Sequence, residues 1–241
     1  MPNIAIERDA PQTGFSRSLR APHLPSTLGH NAVKHSAYTF AAEVDRLIDD
    51  LKDEEFHCKI GRSKQLREEL FPLSRLALFL KLPGLEVEVE AFEDSGRPDG
   101  HIRITGFRQR EFEVQITYAG YEGEDALRAE LLVSQGFAPG AGDIRRGKKG
   151  RNIVATMAAV DHDEHVGRMS AAVMSQFRKK ALKPYAQGTV LLVAFEEIKL
   201  YGRSAWGCLF SAIAEAGGMA GSQFDEIYLF NGATNEIQRV A

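Results

Sequence analysis

The feature that most constrains the fold is a series of three short segments in which apolar and polar residues alternate. From Leu85 to Ala91 every second residue is apolar, and Glu occupies the positions between them. The same period returns from His101 to Thr105 and from Glu111 to Tyr118, and turn residues at 94–96 separate the first two segments. A period of two is typical of half-buried strands, and short turns favour antiparallel pairing of consecutive strands. The sequence therefore predicts an antiparallel three-stranded meander.

Segments with helical periodicity lie on both sides of this meander. One is expected from Tyr38 to Leu51, and a second from Ser63 to Leu82, where Pro72 either begins a new helix or breaks the existing one. Further helices are predicted near 124–132, 163–185 and 206–216, and further strands at 190–195 and 226–230. This order of elements predicts an α/β protein (α+β mixed sheet), with a central mixed β-sheet flanked by helices.

The N-terminal 35 residues differ from the rest, because four prolines are scattered among polar residues and no apolar period is sustained. We expect an extended or disordered tail at 1–35, followed by a single domain from 36 to 241. The glycine-rich stretch from 136 to 150 is predicted to be a loop. Cys58 and Cys208 are far apart in the sequence and are expected to be free thiols.

Composition limits the classes of partner. The chain has 30 basic and 33 acidic residues and a net charge of -3, which excludes a protein that binds nucleic acid over its whole surface but allows a local basic patch. No apolar run approaches the ~18 residues that a membrane span requires, and the N-terminus lacks the apolar core of a secretory signal. We therefore expect no membrane association and a cytoplasmic location.

The strongest candidate for chemistry is a pair of acidic residues on neighbouring predicted strands. Asp99, in Pro98-Asp99-Gly100, lies at the start of one strand, and Glu113 lies in the middle of the next. If these strands form a hairpin, the two carboxylates can approach each other, and paired carboxylate oxygens suit Mg²⁺ or Mn²⁺. Gln115 shares a strand face with Glu113, which is consistent either with a site or with a solvent-exposed face.

Pro98-Asp99 together with Glu113-Val114-Gln115 resembles the motif of the PD-(D/E)XK nuclease superfamily, over roughly residues 38–200. The resemblance implies a restriction-endonuclease-like core and a metal-dependent enzyme. Asp99, Glu113 and the main-chain carbonyl of Val114 would hold Mg²⁺ or Mn²⁺, and Gln115 stands where the family has a catalytic Lys. Members often add an acidic residue from the first helical region, for which Glu69 is the first candidate and Glu43 the second. Pro, Asp and Gly are also common turn residues, so a simple turn beside a solvated strand is the alternative.

Two groups of basic residues are candidates for phosphate contacts. The first follows the predicted helix at 124–132 and comprises Arg145, Arg146, Lys148, Lys149 and Arg151. The second comprises Lys180 and Lys183, which the resemblance implies would face nucleic acid. A solvated loop is the alternative for the first group, and interaction with the helix dipole is the alternative for the second.

Two functions follow from the motif. The retained carboxylates favour a metal-dependent nuclease or nuclease-like phosphodiesterase that hydrolyses DNA or RNA. Gln115 favours a catalytically inactive nuclease-fold module that binds nucleic acid or protein, because an amide cannot supply positive charge to a developing phosphorane. A homodimer is a further expectation, since many members of the superfamily act as dimers.

Overall fold

A computed structural model describes residues 34–92, 98–121, 123–140, 142–147 and 152–240. The tail predicted at 1–35 falls almost entirely outside these ranges, and so do Lys148, Lys149 and Arg151. Seven helices are described in these ranges: α1 (Ala37–Asp49), α2 (Asp53–Cys58), α3 (Arg62–Gln65), α4 (Phe71–Leu80), α5 (Glu124–Gln135), α6 (His162–Ala181) and α7 (Gly202–Glu215). The strands are β1 (His35–Ser36), β2 (Leu85–Ala91), β3 (Gly100–Gly106), β4 (Arg110–Tyr118), β5 (Ile144–Arg146), β6 (Ile153–Ala155), β7 (Val190–Phe195), β8 (Glu226–Asn231) and β9 (Glu236–Arg239).

Seven of the strands form one mixed sheet in the order β1-β2-β3-β4-β7-β8-β9. Strands β1 to β4 pair antiparallel, β4, β7 and β8 pair parallel, and β9 returns antiparallel to β8. The predicted meander is therefore confirmed as β2-β3-β4, and so is the mixed sheet flanked by helices. Strand β4 is the element that joins the antiparallel part of the sheet to the parallel part.

Helices cover both faces of the sheet and divide the core into two layers. On one face α1 and α4 pack against alternate strand residues such as Val114, Ile116 and Leu192. On the other face α6 and α7 pack against Leu191 and Val193. Because both of its faces are covered, β7 is buried along its whole length, which explains its unbroken apolar sequence.

The second helical segment is wound in an unusual way. A π-helical turn at Leu66–Leu70 joins α3 to α4, and Pro72 lies in the first turn of α4. Proline is tolerated there because the residues on either side of this junction have helical dihedrals, which match the fixed φ of proline. Pro72 thus lies in the first turn of α4, which continues the π-helical turn without a break, and that turn carries Glu69.

Four strands of the structure were not predicted from the sequence. Strands β5 and β6 form a separate antiparallel hairpin, of which β5 lies within the predicted loop, and β9 follows the last predicted strand. Strand β1 includes the last residue of the range predicted as a tail, since His35 pairs with Val89. All of these strands have two to four residues, which is too short to display a period. No helix within the described ranges is long and apolar enough to cross a membrane.

The two-layer core predicts a large effect for one internal leucine. Leu192 on the central strand β7 has 0% exposure, so Leu192→Ala removes a fully packed side chain and leaves a cavity. We expect the free energy of unfolding to fall by about 2–5 kcal/mol in urea denaturation. Leu182→Ala is the control, because Leu182 is 87% exposed, and a change beyond about 0.5 kcal/mol is not expected there. Equal effects of the two substitutions would contradict the central position of β7.

Candidate functional site

The candidate site lies where β3 begins, at Gly100, and where β4 continues past its last β3 partner. The β3–β4 register ends at the pair Gly100–Val114, so the last residues of β4 pair with β7 on one side and lack a β3 partner on the other. Asp99 lies directly before β3 at this point. We call the group formed by Asp99, Gln115, Glu69 and Lys180 the strand-end site.

Asp99 replaces the missing strand partner of β4. Its Oδ2 accepts a hydrogen bond from the main-chain N–H of Ile116 at 2.6 Å. The same oxygen accepts a hydrogen bond from Nε2 of Gln115, a side chain that is only 9% exposed. An unpaired buried N–H group is costly, and the carboxylate satisfies it. This explains why an acidic residue lies inside the edge of the sheet.

Glu69 and Lys180, which interact electrostatically with Asp99, belong to elements on opposite faces of the sheet. Glu69 belongs to the π-helical turn on the face covered by α1 and α4, whereas Lys180 lies in the last turn of α6 on the other face. Burial and then the charge of Asp99 raise the pKa of Glu69 above its ordinary value. Burial lowers the pKa of Lys180, although the charges of Asp99 and Glu69 act in the opposite direction. The three groups therefore form one electrostatically coupled cluster.

The carboxyl group of Asp99 is itself perturbed. Burial raises its pKa, while the hydrogen bond from Ile116 and the charges of Lys180 and Lys183 oppose that rise. Tyr185 is a further neighbour, because burial and the charge of Asp99 both raise the pKa of its hydroxyl. Carboxyl groups that hold their protons more tightly than usual, beside lysines, are frequent at functional sites and also occur in structural networks.

The structure brings Asp99 together with Gln115 rather than with Glu113. Since Gly100 pairs with Val114, the residue opposite Asp99 is Gln115, and Glu113 lies two residues earlier, opposite His101. Val114 pairs with Gly100 on one side and Val190 on the other, and it is fully buried. The acidic neighbour that the structure provides for Asp99 is Glu69.

The other predicted residues have separate environments. Arg146 binds Glu130 of α5 through both terminal nitrogens, one of them at 2.8 Å, and Arg145 is exposed beside it on β5. Glu43, the second acidic candidate, lies 3.8 Å from Nδ1 of His35. Lys180 and Lys183 were predicted as phosphate contacts. In the structure the positive charges of both lysines act to lower the pKa of Asp99. Tyr185 was not predicted, because nothing in its spacing connects it with a residue 86 positions earlier.

Glu69 and Asp99 are suitable donors for a hydrated divalent cation. Mg²⁺ is commonly held by one or two carboxylates and keeps several waters, so a complete protein cage is not required. In the described part of the chain, no group of three or more His, Cys, Asp or Glu side chains is close enough to hold a metal ion. The raised pKa values of Glu69 and Asp99 reflect two partly buried carboxyl groups whose charges are incompletely compensated, which a cation would relieve. Of the described residues, Glu69 and Asp99 are therefore the two carboxylates of this site that could take part in holding a cation.

Comparisons of this chain with protein-family models, curated proteins and solved structures find no match. The interpretation of the strand-end site accordingly rests on its geometry and on the chemistry of its residues.

The raised pKa of Glu69 predicts a pH-dependent stability. Just above the ordinary Glu pKa of about 4.3, the carboxyl group of Glu69 is ionised in the unfolded chain. In the folded chain its pKa is raised, so the same carboxyl group still holds its proton there. The folded state binds more protons in this window, so its stability falls as the pH rises through it. We expect Glu69→Gln to be more stable than the wild type at neutral pH, with a difference that shrinks toward about pH 4 in urea denaturation.

The matched control is Glu86→Gln, since Glu86 lies on the surface of β2 with a side chain that is 75% exposed. Its effect should stay within about 0.5 kcal/mol at neutral pH. A difference between wild type and Glu69→Gln that is the same at every pH would contradict the raised pKa.

Proposed function

We propose that the chain is a metal-dependent nuclease or nuclease-like phosphodiesterase with a restriction-endonuclease-like core and the strand-end site as its active site. The observation that carries the proposal is that Asp99, hydrogen-bonded to Ile116 and Gln115 where β3 begins, interacts electrostatically with Glu69 and Lys180. The element order supports it too, because a helix and an antiparallel meander precede a parallel strand that is reached through a long helix.

Each residue of the strand-end site has a role in this proposal. Glu69 and Asp99 would hold Mg²⁺ or Mn²⁺ through carboxylate oxygens. When bound, such a cation lowers the pKa of a coordinated water and offsets charge on a phosphoryl oxygen. Gln115 holds Asp99 in place through its amide nitrogen, and its amide oxygen can accept a hydrogen bond from a water.

Lys180 supplies the positive charge that the motif would place at Gln115. Its ammonium group is half-buried and is influenced by Asp99 and Glu69, so it can contact a phosphate that these residues approach. Because burial lowers its pKa, Lys180 releases its proton more readily than an exposed lysine. Lys183 is exposed beside it and is a candidate for contact with a neighbouring phosphate. These proposed phosphate contacts imply a nucleic-acid substrate, either DNA or RNA.

A specific observation favours the second candidate, a non-catalytic module for nucleic-acid or protein binding. Oδ2 of Asp99 already accepts hydrogen bonds from Ile116 and Gln115. An oxygen with both of these donors is a poorer metal ligand, so metal binding would depend on the other oxygen of Asp99 and on Glu69. The experiment below separates the two candidates. The homodimer and the cytoplasmic location remain predictions.

We expect Mn²⁺ to bind the wild-type chain in the micromolar to millimolar range in calorimetry, and both Asp99→Asn and Glu69→Gln to remove this binding. These substitutions keep the shape of each side chain and remove its negative charge. We expect the same variants, and Lys180→Met, to lower the rate of oligonucleotide cleavage with Mg²⁺ or Mn²⁺ by about 10²–10³-fold, as for loss of an electrostatic contact to the transition state.

Two further variants make this test specific. Asp50→Asn is the control for loss of a surface carboxylate, because Asp50 forms an exposed ion pair with Arg46, and it should leave metal binding and cleavage unchanged. Glu113→Gln compares the ligand set of the sequence motif with that of the strand-end site, and loss of Mn²⁺ binding in it would favour the motif set. Absence of both metal binding and cleavage in the wild type, with substrate present, would refute the enzyme and favour the binding module.

A further inference from the structure

The hairpin of β5 and β6 is separate from the seven-stranded sheet and packs on α5. Strand β5 is anchored there, because Ile144 is buried and Arg146 binds Glu130 of α5. Arg128 of α5 also donates a hydrogen bond at 3.0 Å to the main-chain oxygen of Gly142, just before β5. Strand β5 is therefore held by α5, whereas β6 pairs with β5 alone among the described strands.

One edge of β6 presents main-chain groups that no described strand pairs with. The main-chain oxygen of Asn152 accepts a hydrogen bond from the β5 side at 2.7 Å, and the N–H of Thr156 donates one to that side at 2.9 Å. Because the direction of main-chain groups alternates along an antiparallel strand, Ile153 and Ala155 direct their N–H and C=O groups away from β5. This edge of β6 is therefore open to pairing with a further strand.

The segment that carries this edge is apolar and exposed. Residues 153–160, which we call the apolar edge, have the sequence Ile-Val-Ala-Thr-Met-Ala-Ala-Val and contain no charged residue. Val154 is 45% exposed and Met157 is 88% exposed. An exposed edge strand is a template for pairing with another chain, and proteins that avoid such pairing usually place a charge or a proline on it. The apolar edge has neither, so we expect a partner strand to cover it.

The charges on either side of the apolar edge indicate which strand fits it. The chain from 142 to 152 has five basic residues and one acidic residue, whereas 161–164 has three acidic residues and no Lys or Arg. Arg145 on the first side, and Asp163 and Glu164 on the second, are exposed and form no ion pair with another described residue. When two copies of a strand pair antiparallel, the start of each lies beside the end of the other, so a basic flank meets an acidic flank. The apolar edge is thus complementary in charge to a second copy of itself.

We propose that the apolar edge pairs antiparallel with the apolar edge of a second copy of this chain, about a two-fold axis near Thr156. The two hairpins then form one four-stranded antiparallel sheet, and a two-fold axis perpendicular to that sheet leaves both α5 helices on the same face. This pairing gives partners to the outward main-chain groups of Ile153 and Ala155 in both copies. It also places Val154 and Met157 against apolar residues of the other copy. The inference does not depend on the proposed function, and it gives the predicted homodimer an interface.

The test is the oligomeric state of the full chain, measured by sedimentation equilibrium over a range of concentrations. We expect a reversible dimer in the wild type. Met157→Lys places an unpaired charge between the paired strands, and Ala155→Pro removes an N–H that points away from β5, so each should raise the dissociation constant at least about tenfold. Ile198→Lys is the matched control, because Ile198 is 75% exposed between β7 and α7, and it should leave the dissociation constant unchanged.

A cross-link tests the antiparallel register. In a chain in which Cys58 and Cys208 are replaced by Ser, Thr156→Cys should form a disulfide-linked dimer under mild oxidation, because the two copies of residue 156 lie side by side near the two-fold axis. Ile198→Cys in the same background should not form this cross-link.

The outcomes are separate from those of the metal-binding and cleavage experiments. A wild-type dimer that Met157→Lys and Ala155→Pro both weaken, and that the cysteine at position 156 traps, supports the pairing of the two apolar edges. A wild type that is monomeric at every concentration overturns it, and the apolar edge would then have a different protein as its partner. A dimer that neither variant weakens, or that Ile198→Lys weakens equally, also overturns it, since the interface would then lie elsewhere.

Discussion

The hydrogen bond from the Ile116 amide to the Asp99 carboxylate is the interaction on which the strand-end site depends. Strand β3 begins at Gly100 and so leaves the rest of β4 unpaired on that side, where the carboxylate of Asp99 accepts the Ile116 amide in place of a strand carbonyl. This fixes an acidic group at a partly buried edge, where its charge is poorly solvated. That charge raises the pKa of Glu69 and opposes the fall that burial causes in the pKa of Lys180, and both residues belong to helical elements that pack on the sheet through apolar side chains.

Much of the fold could be predicted from the sequence, because its longer elements have clear periods. The alternation in β2, β3 and β4 specified both the strands and the hairpin connections, and the unbroken apolar run of β7 specified a strand covered on both faces. The short strands β1, β5, β6 and β9 could not be predicted, since pairing with a neighbour, rather than composition, defines them.

The candidate site was only partly predictable, and the reason is strand register. A hairpin between the predicted strands allows Asp99 to face either Glu113 or Gln115, and these two residues lie on the same face, so the hydrophobic pattern does not choose between them. The register that the structure has, with Gly100 opposite Val114, selects Gln115. Lys180 was recognised as a basic residue but not as a neighbour of Asp99, because only the packing of α6 on the sheet brings positions 99 and 180 together.

The position of β4 between two kinds of pairing also has a consequence for the order in which the chain can fold. Its antiparallel partner β3 is close in sequence, whereas its parallel partner is far away, as the pair Val114–Val190 illustrates. Closing so long a loop is entropically slow compared with forming a local hairpin. A nascent chain that has formed only the β2-β3-β4 meander would thus have Asp99 at its place on the hairpin and no Lys180 beside it. The complete charge cluster can exist only after the parallel half of the sheet has assembled.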